Sequence, residues 1–417
     1  MKNSGLIIDC DEKKNALRNL FKNSKVAFIY GAAGTGKSTM INYISSLFKD
    51  KQKIFLANTN PAVENLRRKV TAEHAEFVTI TKFLSKDVSN DCDILCLDEC
   101  STISNRDMVR VLQRAQCKLL VLVGDIYQIE SILFGNWFNI AYKVMPKDSV
   151  AELTRPHRTT VQGLIEVWNK VREITEDRLE FITRNGLSST LDESIFSRTE
   201  EDEIVLCLNY DGIYGINNIN KFLQSNNVNP SINWGVLSYK VGDPVLFNES
   251  NRFAPLVYNN LKGKILQIEE EEDCIYFTIE VYTVLNELDV IGFDLELKES
   301  VTDETSVIRF KVGRGGDGND DNDNVENVVP FQVAYAISIH KAQGLEYESV
   351  KVVITSEIEE MVSHNIFYTA ITRAKSKLKI YWSPETEKRI LENMKVQFND
   401  KDYQLFKAKY KEALLKS

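Results

Sequence analysis

Apolar positions along the chain follow two rhythms. Short unbroken apolar runs at 26–30, 53–57, 93–97 and 118–123 alternate with stretches of helical spacing at 38–48, 61–70 and 105–114. Unbroken runs mark strands covered on both faces. Their alternation with helical stretches predicts a parallel α/β sheet with crossover helices over residues 1–150. A further strand, 204–208, is followed by a helical run at 216–223. After Trp234 the rhythm changes: residues 240–312 hold short β-like runs at 243–247, 263–268, 274–282 and 307–311. They predict a small β barrel inserted into a second α/β domain, whose pattern resumes at 331–339, 350–355 and 377–382. Gly313–Asn327, dominated by Gly, Asp and Asn, is expected to be a mobile acidic surface loop, and 385–416 a charged amphipathic helix or pair of helices.

Three of the predicted strands end in chemistry. After 26–30 comes Gly31-Ala32-Ala33-Gly34-Thr35-Gly36-Lys37-Ser38-Thr39, a full G-x-x-x-x-G-K-[ST] phosphate loop. Glycine tolerates the dihedrals of such a loop, and its N–H groups converge on an anion at the start of a helix. Lys37 would reach the β and γ phosphates and Ser38 would ligate Mg²⁺. After 93–97 come Asp98 and Glu99. Carboxylates at strand ends sit on the ligand-binding edge of a parallel sheet, where Asp98 would hold Mg²⁺ through water and Glu99 would activate the attacking water. The third strand leads to Gln128, placed to sense the γ-phosphate.

Composition narrows the class. The net charge is −9, which does not mark a nucleic-acid binder but leaves room for a local basic groove. No run approaches a membrane-spanning length. Seven cysteines, an odd number, suit reduced thiols in the cytoplasm. Cys92, Cys96 and Cys100 are spaced by four, but a strand through 93–97 assigns them to core packing rather than to a metal cluster.

The ordered set of motifs resembles the superfamily 1 helicases, most closely their RecD-like branch with UvrD-type C-terminal motifs, along nearly the whole chain. The resemblance rests on the phosphate loop 31–38, Ala57–Val63, Thr79–Leu84, Asp98-Glu99, Gly124–Gln128, Leu153–Arg158, Tyr335–Glu346 and Phe367–Lys375. It implies two RecA-like parallel-sheet domains, at 1–152 and at 153–239 with 330–417, and an SH3-like β insertion at 240–329. It implies that Arg158 and Arg373 are arginine fingers, that Thr39, Gly344 and Glu346 join the phosphate loop in binding nucleotide, and that Thr59, Asn60, Thr79, Ser338, His340 and Lys341 contact the nucleic-acid backbone. ATP and Mg²⁺ are the implied cofactors and 5′→3′ the implied polarity. Phe134 and Trp137 are candidates for base stacking, with core packing the commoner role.

Three departures from the family pattern stand out, the slightest being Ser338, which replaces the usual threonine but keeps the hydroxyl. The adenine-reading glutamine near the N-terminus is missing, with Lys13 about where it belongs. Only about eight residues separate Leu84 from Asp93, too few for the hairpin that helps relatives split a duplex. The expected function is therefore an NTP-dependent motor on single-stranded nucleic acid, DNA ahead of RNA, with a protein partner such as a nuclease and without a membrane. The alternatives are a viral-type RNA helicase and a nucleotide-gated interaction protein with slow ATPase; a small-molecule kinase is disfavoured by the motifs of the second half.

Overall fold

The computed structural model describes Lys13, Leu17 and residues 25–85, 89–129, 136–155, 157–248, 252–254, 256–300, 302–314, 327–395 and 400–416. Phe134 and most of the Gly313–Asn327 segment lie outside the described residues. The chain forms two compact units: Met1–Asn185 with Glu360–Ser376 and Lys388–Ser417, and Gly186–Glu359 with Lys377–Glu387. These limits follow packing and differ from the motif-based division at 152, because the chain returns through 360–376 and sets Phe367–Arg373 in the first unit.

The first unit is built on a six-stranded sheet in the order Ala75–Thr79, Lys53–Ala57, Asp91–Leu97, Gln116–Gly124, Val26–Gly31, Val150–Leu153. All five pairings are parallel. Both faces are covered. One carries Ala27, Ile29, Phe55, Cys96, Val121 and Val123; the other carries Phe28, Leu56, Leu95, Leu97 and Leu122. That double burial is why the central strands read as continuous apolar runs. The described cysteines are free, and Cys92, Cys96 and Cys100 are buried in these clusters as expected. The strand's alternation slips, however. The N–H groups of Asp93 and Ile94 both donate to Gln52 O, and Cys92 joins the cluster opposite to Cys96.

Among the described residues the second unit holds two large sheets and the two-stranded hairpin Ser231–Trp234 with Leu237–Lys240. One has the order Ala336–Ser338, Glu203–Cys207, Tyr347–Val353, Ala374–Tyr381, Ser188–Ser189, with Glu203–Cys207 paired in parallel to both of its neighbours. The other is antiparallel, in the order Glu296–Lys298, Ser306–Gly313, Cys274–Val281, Lys262–Glu270, Pro244–Phe247, Phe331–Val333. Its core is aromatic: Phe247, Phe253, Phe277, Phe310 and Phe331 pack together, Phe277 and Phe331 edge to face at 4.9 Å. The β-rich insertion is therefore present. Its pairing is that of a sheet with two edge strands, so the SH3-like barrel is met only as far as a β module. Helices Pro384–Asn393 and Asp400–Lys416 match the expected C-terminal pair. Among the described residues no helix is long and apolar enough to cross a membrane.

Candidate nucleotide and nucleic-acid site

Parallel topology sends every strand of the first sheet out at the same edge. Gly31, Leu97 and Gly124 end neighbouring strands, so the phosphate loop, Asp98-Glu99 and Asp125–Gln128 emerge side by side. The loop feeds the helix Lys37–Leu47, capped by Gly36 at φ 81°. Gly34 also has a positive φ, 75°, and a Cβ there would lie 2.4 Å from Arg158 Cβ. The loop thus needs glycine both for its dihedrals and for the close approach of the 157–158 backbone, where His157 N–H donates to Gly34 O at 2.6 Å.

The charged groups are packed around this loop. Lys37 Nζ donates to Gly31 O and Ala32 O at 2.8 and 2.9 Å and lies 4.0 Å from Asp125 Oδ2. Burial pulls its pKa down, opposed chiefly by the negative charge of Asp125. Asp125 is itself buried; it accepts from Tyr127 N–H at 3.0 Å and from Gln128 Nε2 at 3.1 Å, which fixes the glutamine. Asp98 Oδ1 accepts Glu99 N–H at 2.9 Å. Burial pushes the Glu99 carboxyl up to about 7, with Asp98 adding to the rise and Arg373 and Lys37 drawing it back. Glu99 adopts φ 51°, ψ 40°, a left-handed conformation that a side chain rarely holds. Arg373 is buried, its Nε donating to Thr369 O at 2.9 Å, and Arg158 Nη1 donates to Thr372 O at 2.6 Å. Lys37, Asp98, Glu99, Gln128, Arg158 and Arg373 thus gather with the phosphate loop in one unit.

Two participants escaped sequence reasoning. Asp125 follows a strand end directly, as Asp98 does, and that repeated position was the available signal. Tyr368, fully buried, accepts the N–H of Ala33 in the phosphate loop at 3.3 Å; only the fold brings positions 335 residues apart together. Lys13 is also buried, and a Cβ on Gly36 would meet its Nζ at 2.4 Å. The position expected to read a base holds an ammonium against the phosphate loop instead.

The hydroxyls assigned to nucleic acid already serve the backbone. Thr59 caps the helix Asn60–Lys69 by accepting Ala62 N–H, Thr79 caps Ile80–Leu84 by accepting Lys82 N–H, and Ser338 Oγ accepts Lys341 N–H at 3.2 Å. Each keeps its O–H proton as a donor. Thr59, Asn60 and His340 are exposed. Lys341 Nζ donates to Gln332 Oε1 at 2.9 Å, and burial lowers its pKa. Gly344, at φ 82°, and Glu346 lie in the second unit, in the turn after Ala336–Ser338. Trp137 donates its indole N–H to Ile103 O and packs on Phe138, a structural role.

A phosphate loop beside strand-end carboxylates on one parallel-sheet edge defines a P-loop nucleotide-binding protein. Residues 10–192 match the family model described as an AAA domain, and residues 333–381 match that of the UvrD-like helicase C-terminal domain. RecD of the RecBCD enzyme from Buchnera aphidicola is 23% identical over 92% of this chain and 77% of its own length. The ATP-dependent DNA helicase Pif1 of Campylobacter jejuni is 23% identical over 85% of this chain and 88% of its own. A Methanocaldococcus jannaschii protein is 24% identical over 88% of this chain, which spans 37% of it. In fold the chain resembles Bacteroides Pif1 helicase in complex with ADP-AlF3 and ssDNA (TM-score 0.56, 17% identity, 97% of this chain and 98% of that one). This set of matches is that of the superfamily 1, RecD-like helicases.

Proposed function

We propose that the chain is an ATP-hydrolysing motor that moves along single-stranded DNA in the 5′→3′ direction. The observation that carries this reading is the gathering of Lys37, Asp98, Glu99, Gln128, Arg158 and Arg373 around one phosphate loop. On nucleotide binding, Lys37 exchanges the loop carbonyls for β and γ phosphate oxygens. Ser38 and Asp98 are hard oxygen donors of the kind Mg²⁺ takes; Ser38 would ligate the metal and Asp98 would hold it through water. When bound there, the metal neutralises charge on the phosphates. Glu99, held in a partly buried turn with a raised pKa, accepts the proton of the attacking water. Gln128, fixed by Asp125, orients that water against the γ-phosphate. Arg158 and Arg373 offset the charge that develops on the transferred phosphoryl group.

Thr59, Asn60, Thr79, Ser338, His340 and Lys341 are the proposed backbone contacts; hydroxyls, an amide and cations suit phosphate without reading bases. The DNA track is carried from Pif1, by name a DNA helicase, and the polarity from the family resemblance. A protein partner such as a nuclease is proposed because RecD is, by name, a subunit of a larger enzyme. A purely switch-like ATPase has no need of Glu99 together with two arginines, and no feature favours RNA. Two variants test the site. Lys37→Ala should lose hydrolysis, and Glu99→Gln should bind ATP normally in a filter or fluorescence assay while turnover disappears. Near-normal turnover in Glu99→Gln would remove Glu99 from its role.

A further inference from the structure

The helix His364–Ile371 is tied down along its length. His364 Nε2 bonds Val171 O at 2.8 Å, Trp168 Nε1 donates to Ile371 O at 3.0 Å, and Thr369 Oγ1 accepts Ile129 N–H, one residue beyond Gln128, at 3.2 Å. This anchoring leaves Tyr368 little freedom. Its ring is fully buried, meets Tyr127 edge on at 6.1 Å, and delivers its hydroxyl to Ala33 N–H at 3.3 Å. Ala33 lies between Ala32, whose carbonyl holds Lys37, and Gly34, against which Arg158 packs. The hydroxyl therefore joins the end of the loop where both the phosphate-binding lysine and a proposed finger converge.

A phenol offers one donor as well as its acceptor lone pairs. Here a lone pair takes the Ala33 N–H, and among the described residues no acceptor receives the phenol proton. Burial pushes the phenol pKa up, so the proton is retained across the physiological range. A buried donor without an acceptor costs free energy that an incoming acceptor recovers.

We infer that the Tyr368 hydroxyl donates a hydrogen bond to an oxygen of the terminal phosphate of a bound nucleoside triphosphate, and so helps the site distinguish triphosphate from diphosphate. The inference rests on the nucleotide reading above. Tyr368 and Gln128 then form two contacts to one phosphate, joined through the Thr369–Ile129 bond. Loss of the terminal phosphate releases both, and the helix that carries Arg373 at its end registers the change.

The test compares the unaltered chain with Tyr368→Phe, which keeps the ring and deletes only the hydroxyl. Binding of Mg-ATPγS and of Mg-ADP is measured by calorimetry, with a thermal melt of each nucleotide-free protein to verify folding. ATPγS affinity should fall about tenfold or more, as for a lost hydrogen bond to a charged group, while ADP affinity stays within about twofold. Equal losses for both nucleotides, or none for either, would overturn the role of Tyr368 and leave the nucleotide site standing. A wild-type chain that binds neither nucleotide would overturn the site itself, and this inference with it.

Discussion

Glu99 shows what a single residue is asked to tolerate here. It combines a left-handed backbone, a partly buried carboxyl beside a second carboxylate, and a pKa raised to about 7. Strain and desolvation of that kind persist only where the surroundings enforce them. The enforcement is visible in the Asp98–Glu99 N–H bond and in the opposing charges of Lys37 and Arg373. Arg373 is the partner that the chain could have replaced by a neutral side chain if only packing mattered. Arg373→Ala should therefore lower turnover by about 10³–10⁵, the range for arginine fingers. Arg373→Lys should recover only part of it, because an ammonium lacks the planar fork. Steady-state assays beside melting curves check this; a tenfold or smaller loss in a folded Arg373→Ala protein would give the arginine a packing role. The thiols make the opposite point. Burial pushes Cys96, Cys100 and Cys207 well above the usual thiol range. At pH 8 they should resist iodoacetamide in the native protein and react once it is unfolded, as mass spectrometry would record. Rapid native labelling would contradict their burial.

At the scale of elements, legibility in the sequence tracks burial. The central strands Val26–Gly31, Lys53–Ala57 and Asp91–Leu97 read directly as apolar runs because helices cover both of their faces. The edge strands Ala75–Thr79 and Val150–Leu153 do not, since exposed positions such as Glu76 and Glu152 interrupt them. The hairpin Ser231–Trp234 and Leu237–Lys240 was hidden for the same reason: Leu237 and its neighbour Val236 are exposed apolar positions that no periodicity explains. Among site elements, the phosphate loop and the strand-end carboxylates were legible because their chemistry is local. Tyr368 was not, because its partner Ala33 lies on a distant segment. Gly34 sits where local and distant demands meet. Gly34→Ala adds a Cβ 2.4 Å from Arg158 and forces a strained dihedral. It should weaken ATP binding at least about tenfold and cost about 1–3 kcal/mol of stability. Titration with a fluorescent nucleotide and a denaturant melt measure both; unchanged binding would mean that the loop moves away from Arg158 when it is filled.

Across the molecule, the sequence foretold two parallel sheets and a β-rich insertion, and all three are present. That the insertion pairs as an open sheet rather than the expected barrel, and that Phe367–Arg373 pack with the first unit, were beyond its reach, because both depend on contacts between segments far apart in the chain. A net charge of −9 gives the molecule no general attraction for nucleic acid. In the proposed reading the grip on DNA comes from placed donors such as Thr59, Thr79 and Ser338, and is linked to the nucleotide cycle rather than to bulk electrostatics. The most direct test is steady-state ATP hydrolysis with and without single-stranded DNA, with single-stranded RNA alongside and Lys37→Ala as the blank. A DNA motor should show Mg²⁺-dependent hydrolysis that DNA stimulates strongly, RNA less, and Lys37→Ala abolishes. Hydrolysis indifferent to both polymers would contradict the motor, and would leave a nucleotide site that answers to something other than a strand.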